Sequence, residues 1–323
     1  MTALLELRDL SVRFRTPEGI VRAVDRVSYA VQAGETVAIV GESGCGKSVS
    51  ARAVMGLVPI PPGEVSGQVL FEGRDLLTLD DEALRAIRGG SIGMVFQEPM
   101  TSLNPLLSIG KQLRESVEEH RGFTARQAES WAVELLRMVE IPDAERRLKQ
   151  YPHHFSGGMR QRVMIAIALS CEPKLVIADE PTTALDVTIQ AQILELMKSL
   201  TRRLGAALVV ITHNLGIVAR YATHVNVMYA GRIVESAATA RLFEQPRHPY
   251  TLGLLASVPR LDQPRGARLT PIEGQPPDLA RLGAGCAYRP RCRFAVGPCA
   301  ETVPPLAELP GDHSAACFES ARL

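Results

Sequence analysis

The chain has 323 residues, 46% of them apolar and 22% charged, and a formal net charge of +1. These are ordinary globular values, enough to bury a sizeable core in one large or two modest domains, and the near-neutral balance gives no global pull toward nucleic acid. The opening residues 1–10 lack the basic start and apolar core of a secretory signal, and no run approaches the roughly 18 apolar residues of a spanning helix, so a soluble, cytosolic protein is expected.

In chain order, Leu4–Phe14 reads as a strand, and Thr36–Val40 as a short buried one rich in β-branched residues. The second strand runs straight into a glycine-rich turn. Ser48–Leu57 then reads as a helix stopped by Pro59–Gly63. Strands are expected at Gln68–Phe71 and Ile92–Phe96. Helical spacing follows at Lys111–His120 and Thr124–Glu140, with Thr124 and Gln127 forming a capping box. Leu175–Ala178 is a strand, Val187–Leu204 a helix ended by Gly205, and Ala207–Ile211 another buried strand. The alternation predicts an α/β core interrupted by a helical insert. Beyond about residue 240, proline and glycine rise and periodicity fades. That tail is expected to be a separate appendix, stapled by something other than a large core.

Gly41-Glu-Ser-Gly-Cys-Gly-Lys-Ser48 fits G-x-x-x-x-G-K-[ST] between an expected strand and an expected helix. Gly41, Glu42, Ser43, Gly44, Cys45 and Gly46 can turn backbone N–H groups inward around phosphate oxygens. The helix start adds a favourable dipole, Lys47 a mobile charge for the β and γ phosphates, and Ser48 a hydroxyl ligand for Mg²⁺. Cys45 reads as loop filler, oxidation-sensitive only if its thiol is accessible. Asp179 and Glu180 end the apolar run Leu175–Ala178, where ligands of such folds gather. Asp179 suits Mg²⁺ and Glu180 the general base for an attacking water. His213 follows the strand Leu208–Thr212 and suits contact with the γ-phosphate.

These residues describe a P-loop NTPase and no more. Phe155-Ser-Gly-Gly-Met-Arg-Gln161 resembles the signature of the ABC ATPases, with Phe and Met in place of the commoner Leu and Gln. Ser156, Gly157 and Gly158 there precede a helix and offer a second anion-binding helix start. Gln97 resembles that family's Q-loop glutamine, which touches Mg²⁺, and Ala184-Leu-Asp186 its loop after the two acids. Phe14 is the candidate aromatic for stacking on adenine. Three further stretches are similar to the ATP-binding subunits of dipeptide and oligopeptide importers, a family that also imports nickel. They are Gln97-Glu-Pro-Met-Thr-Ser-Leu-Asn-Pro105, Ala178–Gln192 and His248-Pro-Tyr-Thr-Leu252. Asn214 departs from the Asp common after the histidine of that family.

The resemblance implies a RecA-like α/β P-loop core over 1–240, with a helical subdomain at about 98–168, and an irregular cysteine-containing extension over 241–323. It implies an ATPase that pairs head to tail with a second ATPase subunit, a paralogue in the family's habit. Ser156–Gly158 then serve the partner's nucleotide. Two transmembrane permeases and, indirectly, an extracytoplasmic peptide-binding protein complete the assembly, on the cytoplasmic side of the membrane. A nickel or small-solute importer and a soluble ABC ATPase acting on nucleic acid or ribosomes are the rivals. The latter usually carries two cassettes or a coiled-coil insert, and neither is evident in this chain.

Cys286, Cys292, Cys299 and Cys317 are separated by five, six and seventeen residues. The stretch Gly285–Cys292 is similar to the tail of peptide-importer ATPases that hold a [4Fe–4S] cluster. Four thiolates suit that cluster and suit Zn²⁺ equally, and the spacing lacks the C-x₂-C signature that would choose between them. Unmetallated thiols or disulfides stay open as well. Arg289, Arg291 and Arg293 interleave the cysteines, as a solvated basic face or a docking surface.

Overall fold

The computed structural model describes residues 3–183, 185–258 and 271–323. The chain divides into two compact units. A flanking unit comprises Leu5–Ala30, Val37–Leu77 and Thr212–Leu323; a middle unit comprises Val31–Thr36 and Thr78–Ile211 with the first residues of the chain.

The flanking unit opens with β1 (Leu5–Thr16), β2 (Gly19–Val31), β3 (Thr36–Val40), α1 (Lys47–Val54), β4 (Gly63–Phe71) and β5 (Arg74–Asp75). β2, β1, β4 and β5 form one sheet in that order. β1 runs antiparallel to β4 from Leu5↔Phe71 to Phe14↔Gly63, with an irregularity between Arg8 and Ser11 where Asp9 takes a positive φ of 47°. α1 ends sooner than the sequence suggests. The Leu57 N–H turns back to the Arg52 carbonyl at 2.7 Å, so the chain has left the helix before Pro59 can act on it.

The middle unit carries α2 (Asp81–Ile87), β6 (Ile92–Val95), α3 (Pro99–Ser102), α4 (Ile109–Arg121), α5 (Ala125–Met138), α6 (Ala144–Arg147), α7 (Gly157–Leu169), β7 (Leu175–Asp179), α8 (Val187–Leu204) and β8 (Ala207–Thr212). β6, β7 and β8 are parallel, registered Ile92↔Leu175 and Leu175↔Ala207. Every residue of β7 and β8 is buried, as a parallel strand covered on both faces requires. The helical insert is amphipathic. Ile109, Leu113 and Val117 of α4 and Ala128, Ala132, Leu135 and Leu136 of α5 are fully or almost fully buried. The capping box at α5 forms as read. The Thr124 N–H donates to Gln127 Oε1 at 2.9 Å, and the Gln127 N–H to Thr124 Oγ1 at 3.4 Å. α8 ends at Gly205, φ 67°.

The chain then re-enters the flanking unit through α9 (Leu215–Tyr221), β9 (His224–Tyr229), β10 (Arg232–Ala238), α10 (Thr239–Glu244), α11 (Pro249–Ala256), β11 (Ala307–Leu309) and β12 (His313–Ala315). β3 pairs in parallel with β9, and β9, β10, β12 and β11 continue antiparallel. The tail is therefore not left to staple itself. β12 closes the edge of β10, and Tyr250, Leu254 and Tyr288 share one core with Val40, Val225, Val227 and Tyr229. Glu235 of β10, wholly buried, accepts from the His248 N–H at 3.0 Å and lies 2.7 Å from His313 Nε2. Among the described residues no helix is long and apolar enough to cross a membrane.

Candidate functional site

In the flanking unit, Gly41–Ser48 links β3 to α1. Gly46 occupies the N-cap at φ 104° and brings no side chain to cap α1. A Cβ there would stand 2.0 Å from the Ala23 carbonyl oxygen, so only glycine fits. Lys47 is 4% exposed, and its Nζ donates to the carbonyls of Gly41 at 2.8 Å and Glu42 at 2.9 Å. The ammonium is thus stored across the loop, where anionic oxygens can take it over from weaker carbonyl acceptors. Cys45 is buried, and burial pushes its thiol pKa up against the opposing pull of Lys47. It is not an accessible, oxidation-prone thiol.

The same unit places Phe14 near the end of β1, with its ring edge 3.2 Å from where a Gly63 Cβ would lie. His213 is exposed immediately after β8. Asn214 caps α9, its Oδ1 accepting from the Gly216 N–H at 2.9 Å. Asparagine is as good a helix cap as aspartate, so the departure from the family's Asp costs the helix nothing.

In the middle unit, Asp179 ends β7 at 2% exposure. Glu180 follows at φ 45°, rare for a residue with a Cβ. Its N–H donates to the Ile211 carbonyl at 3.0 Å, which fixes that turn. Its Oε2 accepts from Gln97 Nε2 at 3.1 Å and from Thr183 Oγ1 at 2.9 Å. Gln97 and Glu180 are therefore brought together, and Thr183 is a partner that reading the sequence missed. The signal was its place three residues after Glu180. Ser156 caps the 13-residue α7, accepting from the Met159 N–H at 3.4 Å, and Gly157 and Gly158 form its first turn. A Cβ on Gly158 would sit 3.1 Å from Ile189 of α8. Asp186 caps α8, accepting from the Ile189 N–H at 3.0 Å. Ala184 lies outside the described residues.

In the tail all four cysteines are free thiols. Among the described residues no three His, Cys, Asp or Glu side chains are grouped so as to hold a metal ion. That arrangement does not suit zinc, which needs its sulfurs about 2.3 Å from one point. Cys286, Cys292, Cys299 and Cys317 nevertheless line one small cavity with His248, Tyr288 and Phe318. Burial, reinforced by the neighbouring thiols, pushes Cys317 up to about 11. Arg289 and Arg293 are exposed, whereas the Arg291 side chain is 4% exposed and is no part of a solvated face.

Burial lowers the His248 pKa to about 3, while its Nδ1 accepts from the Tyr250 N–H at 3.1 Å. The folded pKa lies below the unfolded value of 6.5, so the unfolded chain binds the extra proton between them. Stability falls as pH drops from about 6.5 toward 3. His248→Asn keeps the capping acceptor and removes the proton site. Thermal melts from pH 7 to pH 4.5 should show a shallower decline in Tm for the variant.

Two family profiles match the chain. One is described as ABC transporter, over residues 24–183, and the other as the oligopeptide/dipeptide transporter C-terminal region, over residues 234–299. The oligopeptide transport ATP-binding protein OppD of Bacillus subtilis is 51% identical over 314 residues, 97% of this chain and 88% of its own length. The dipeptide transport ATP-binding protein DppD of the same organism is 50% identical, over 98% of this chain and 95% of its own. Among solved structures, the dimeric post-hydrolysis state of the ATP-binding cassette MJ0796, bound to ADP and Pi, aligns at a TM-score of 0.65 and 29% identity. It covers 73% of this chain and 98% of the cassette. An α/β P-loop fold, a glycine-locked phosphate loop, a signature-type helix start and likeness over almost the whole chain agree: the chain belongs to the ATP-binding subunits of the ABC transporters of oligopeptides and dipeptides.

Proposed function

We propose that the chain hydrolyses ATP to power import of dipeptides or oligopeptides across the cytoplasmic membrane, as a peripheral subunit on its cytoplasmic side. The observation that carries this reading is that the likeness to peptide-transport ATP-binding proteins spans the phosphate loop and the tail alike. Nothing comparable favours nickel, nucleic acid or ribosomes. The ATPase domain is assigned to 1–240, its helical subdomain to about 98–168, and the extension to 241–323.

Gly41–Ser48 bind the phosphates, with Lys47 moving from its carbonyls to the β and γ oxygens, and Phe14 stacks on adenine. Ser48, Gln97 and Asp179 are each assigned to Mg²⁺ because each offers the oxygen donor that ion prefers, and its charge would offset that of the phosphates. Glu180 takes the proton of the attacking water. Gln97 and Thr183, both bonded to its Oε2, hold the carboxylate in orientation. His213 contacts the γ-phosphate. Ser156, Gly157 and Gly158 serve the nucleotide of a second ATPase subunit, so each chain carries two half-sites, and Asp186 is assigned to the nucleotide as well. Closure of the pair around ATP shifts two permeases between inward- and outward-facing states through differential affinity. An extracytoplasmic binding protein delivers the peptide.

The four tail cysteines are assigned to a [4Fe–4S] cluster. They line one cavity, and four cysteine thiolates are the usual ligand set of such a cluster. Such a cluster would cross-link the loops that bear the cysteines. Anaerobically purified protein should absorb in the visible and carry iron; colourless protein containing zinc overturns the assignment. Uptake of labelled dipeptide by vesicles containing the chain, its permeases and its partner ATPase should require ATP. Uptake of nickel alone would move the cargo to the rival class.

A further inference from the structure

Glu42, the second residue of the phosphate loop, is gripped at each of its polar groups by a different side chain. Its carbonyl accepts from Lys47 Nζ at 2.9 Å, and its N–H donates to the Tyr250 hydroxyl at 2.7 Å. Its carboxylate takes a two-pronged bond from Arg291, Nη1 to Oε2 at 2.6 Å and Nη2 to Oε1 at 3.0 Å. Tyr250 belongs to α11, and Arg291 lies between Cys286 and Cys292 in the tail. Both are built in firmly. Tyr250 is fully buried and packs against Tyr229 and Tyr288 at ring-centroid distances of 4.5 and 5.5 Å. Arg291 Nε also donates to the Glu273 carbonyl at 2.9 Å. The Glu42 carboxylate beside it holds the guanidinium pKa above its ordinary value.

The arrangement answers a difficulty in the loop itself. A carboxylate at Glu42 lies in a segment that must receive a polyanion. When Lys47 leaves its carbonyls for the phosphates, it also releases the loop. Apart from the Cys45 N–H, which reaches the Glu42 carbonyl at 3.4 Å from within the loop, the contacts that remain on Glu42 come from the side chains of Tyr250 and Arg291 in the C-terminal part of the chain. We infer that Arg291 and Tyr250 are positioning residues for the nucleotide. Arg291 neutralises and aims away the Glu42 carboxylate, and Tyr250 pins the backbone of the loop's first turn. The tail thereby sets the affinity of the phosphate loop. This rests on the assignment of Gly41–Ser48 to the phosphates of ATP.

Binding of a fluorescent ATP analogue to the full chain tests it, with thermal melts to confirm folding. If the unaltered chain fails to bind the analogue saturably, the ATP-site assignment fails, and not this inference. Given that binding, Arg291→Ala should weaken it by about tenfold, because the freed Glu42 charge faces the phosphates. In the assembled transporter KM for ATP should rise while kcat stays near its starting value. The double variant Arg291→Ala with Glu42→Gln should recover to within about threefold of the unaltered chain, since the offending charge is gone. Tyr250→Phe, which keeps the ring packing, should weaken binding by about threefold through the lost hydroxyl alone. An Arg291→Ala chain that binds normally overturns the role of Arg291, as does a double variant as weak as the single one. A Tyr250→Phe chain that binds normally removes Tyr250.

Discussion

Glu180→Gln should reduce ATP turnover by at least about a hundredfold, the usual worth of a positioned general base. The amide keeps the shape of the carboxylate, so the bonds that hold it survive in altered form. Thr183 Oγ1 can still donate to the remaining carbonyl oxygen, and the Glu180 backbone keeps its bond to Ile211. What is lost is the ability to accept a proton. Nucleotide binding should therefore persist at near-normal affinity while phosphate release stops, and peptide uptake should stop with it. Turnover persisting above about a tenth of the original rate would remove Glu180 from the base role.

The second large effect is expected from Gly46→Ala. The added methyl carbon would lie 2.0 Å from the Ala23 carbonyl oxygen and 2.9 Å from Met228 Cε, at a backbone φ of 104°. The carbonyl cannot retreat without disturbing β2, so the loop must open. Affinity for ATP analogues should fall by at least about a hundredfold, since amides a fraction of an ångström out of place no longer converge on phosphate. Gly44→Ala is the control two residues away. Its φ is 78°, but nothing lies within 4 Å of the added carbon. That variant meets only the left-handed backbone penalty of about 1–2 kcal/mol and should bind within about tenfold of normal. Equal losses in the two variants would show that clearance around Gly46 is not what holds the loop.

Those contrasts also mark what could be read along the chain. β3 and α8 fall where the sequence puts them, because a five-residue apolar run and an 18-residue periodic helix with a glycine stop are local signals. The turn Gly41–Gly46 between β3 and α1 was equally legible, since its residues are contiguous. The clearance at Gly46 was not, because Ala23 and Met228 are remote in sequence. Nor could spacing tell Arg291 from Arg289 and Arg293. All three alternate with apolar and cysteine residues, and only the fold buries one of them against Glu42. The tail misled for the same reason. Low periodicity was read as independence from the core, whereas its tyrosine and strand contacts are made across the chain with partners that leave no local trace.

The bond between Glu42 and Arg291 spans 249 positions. A ribosome adding roughly 5–20 residues per second takes on the order of ten to fifty seconds to cross that distance. Throughout that interval the nascent loop exists without its arginine. On the role inferred for Arg291, the phosphate loop reaches its full nucleotide affinity only near the end of synthesis, and a chain ending before Arg291 should bind ATP more weakly than the whole one.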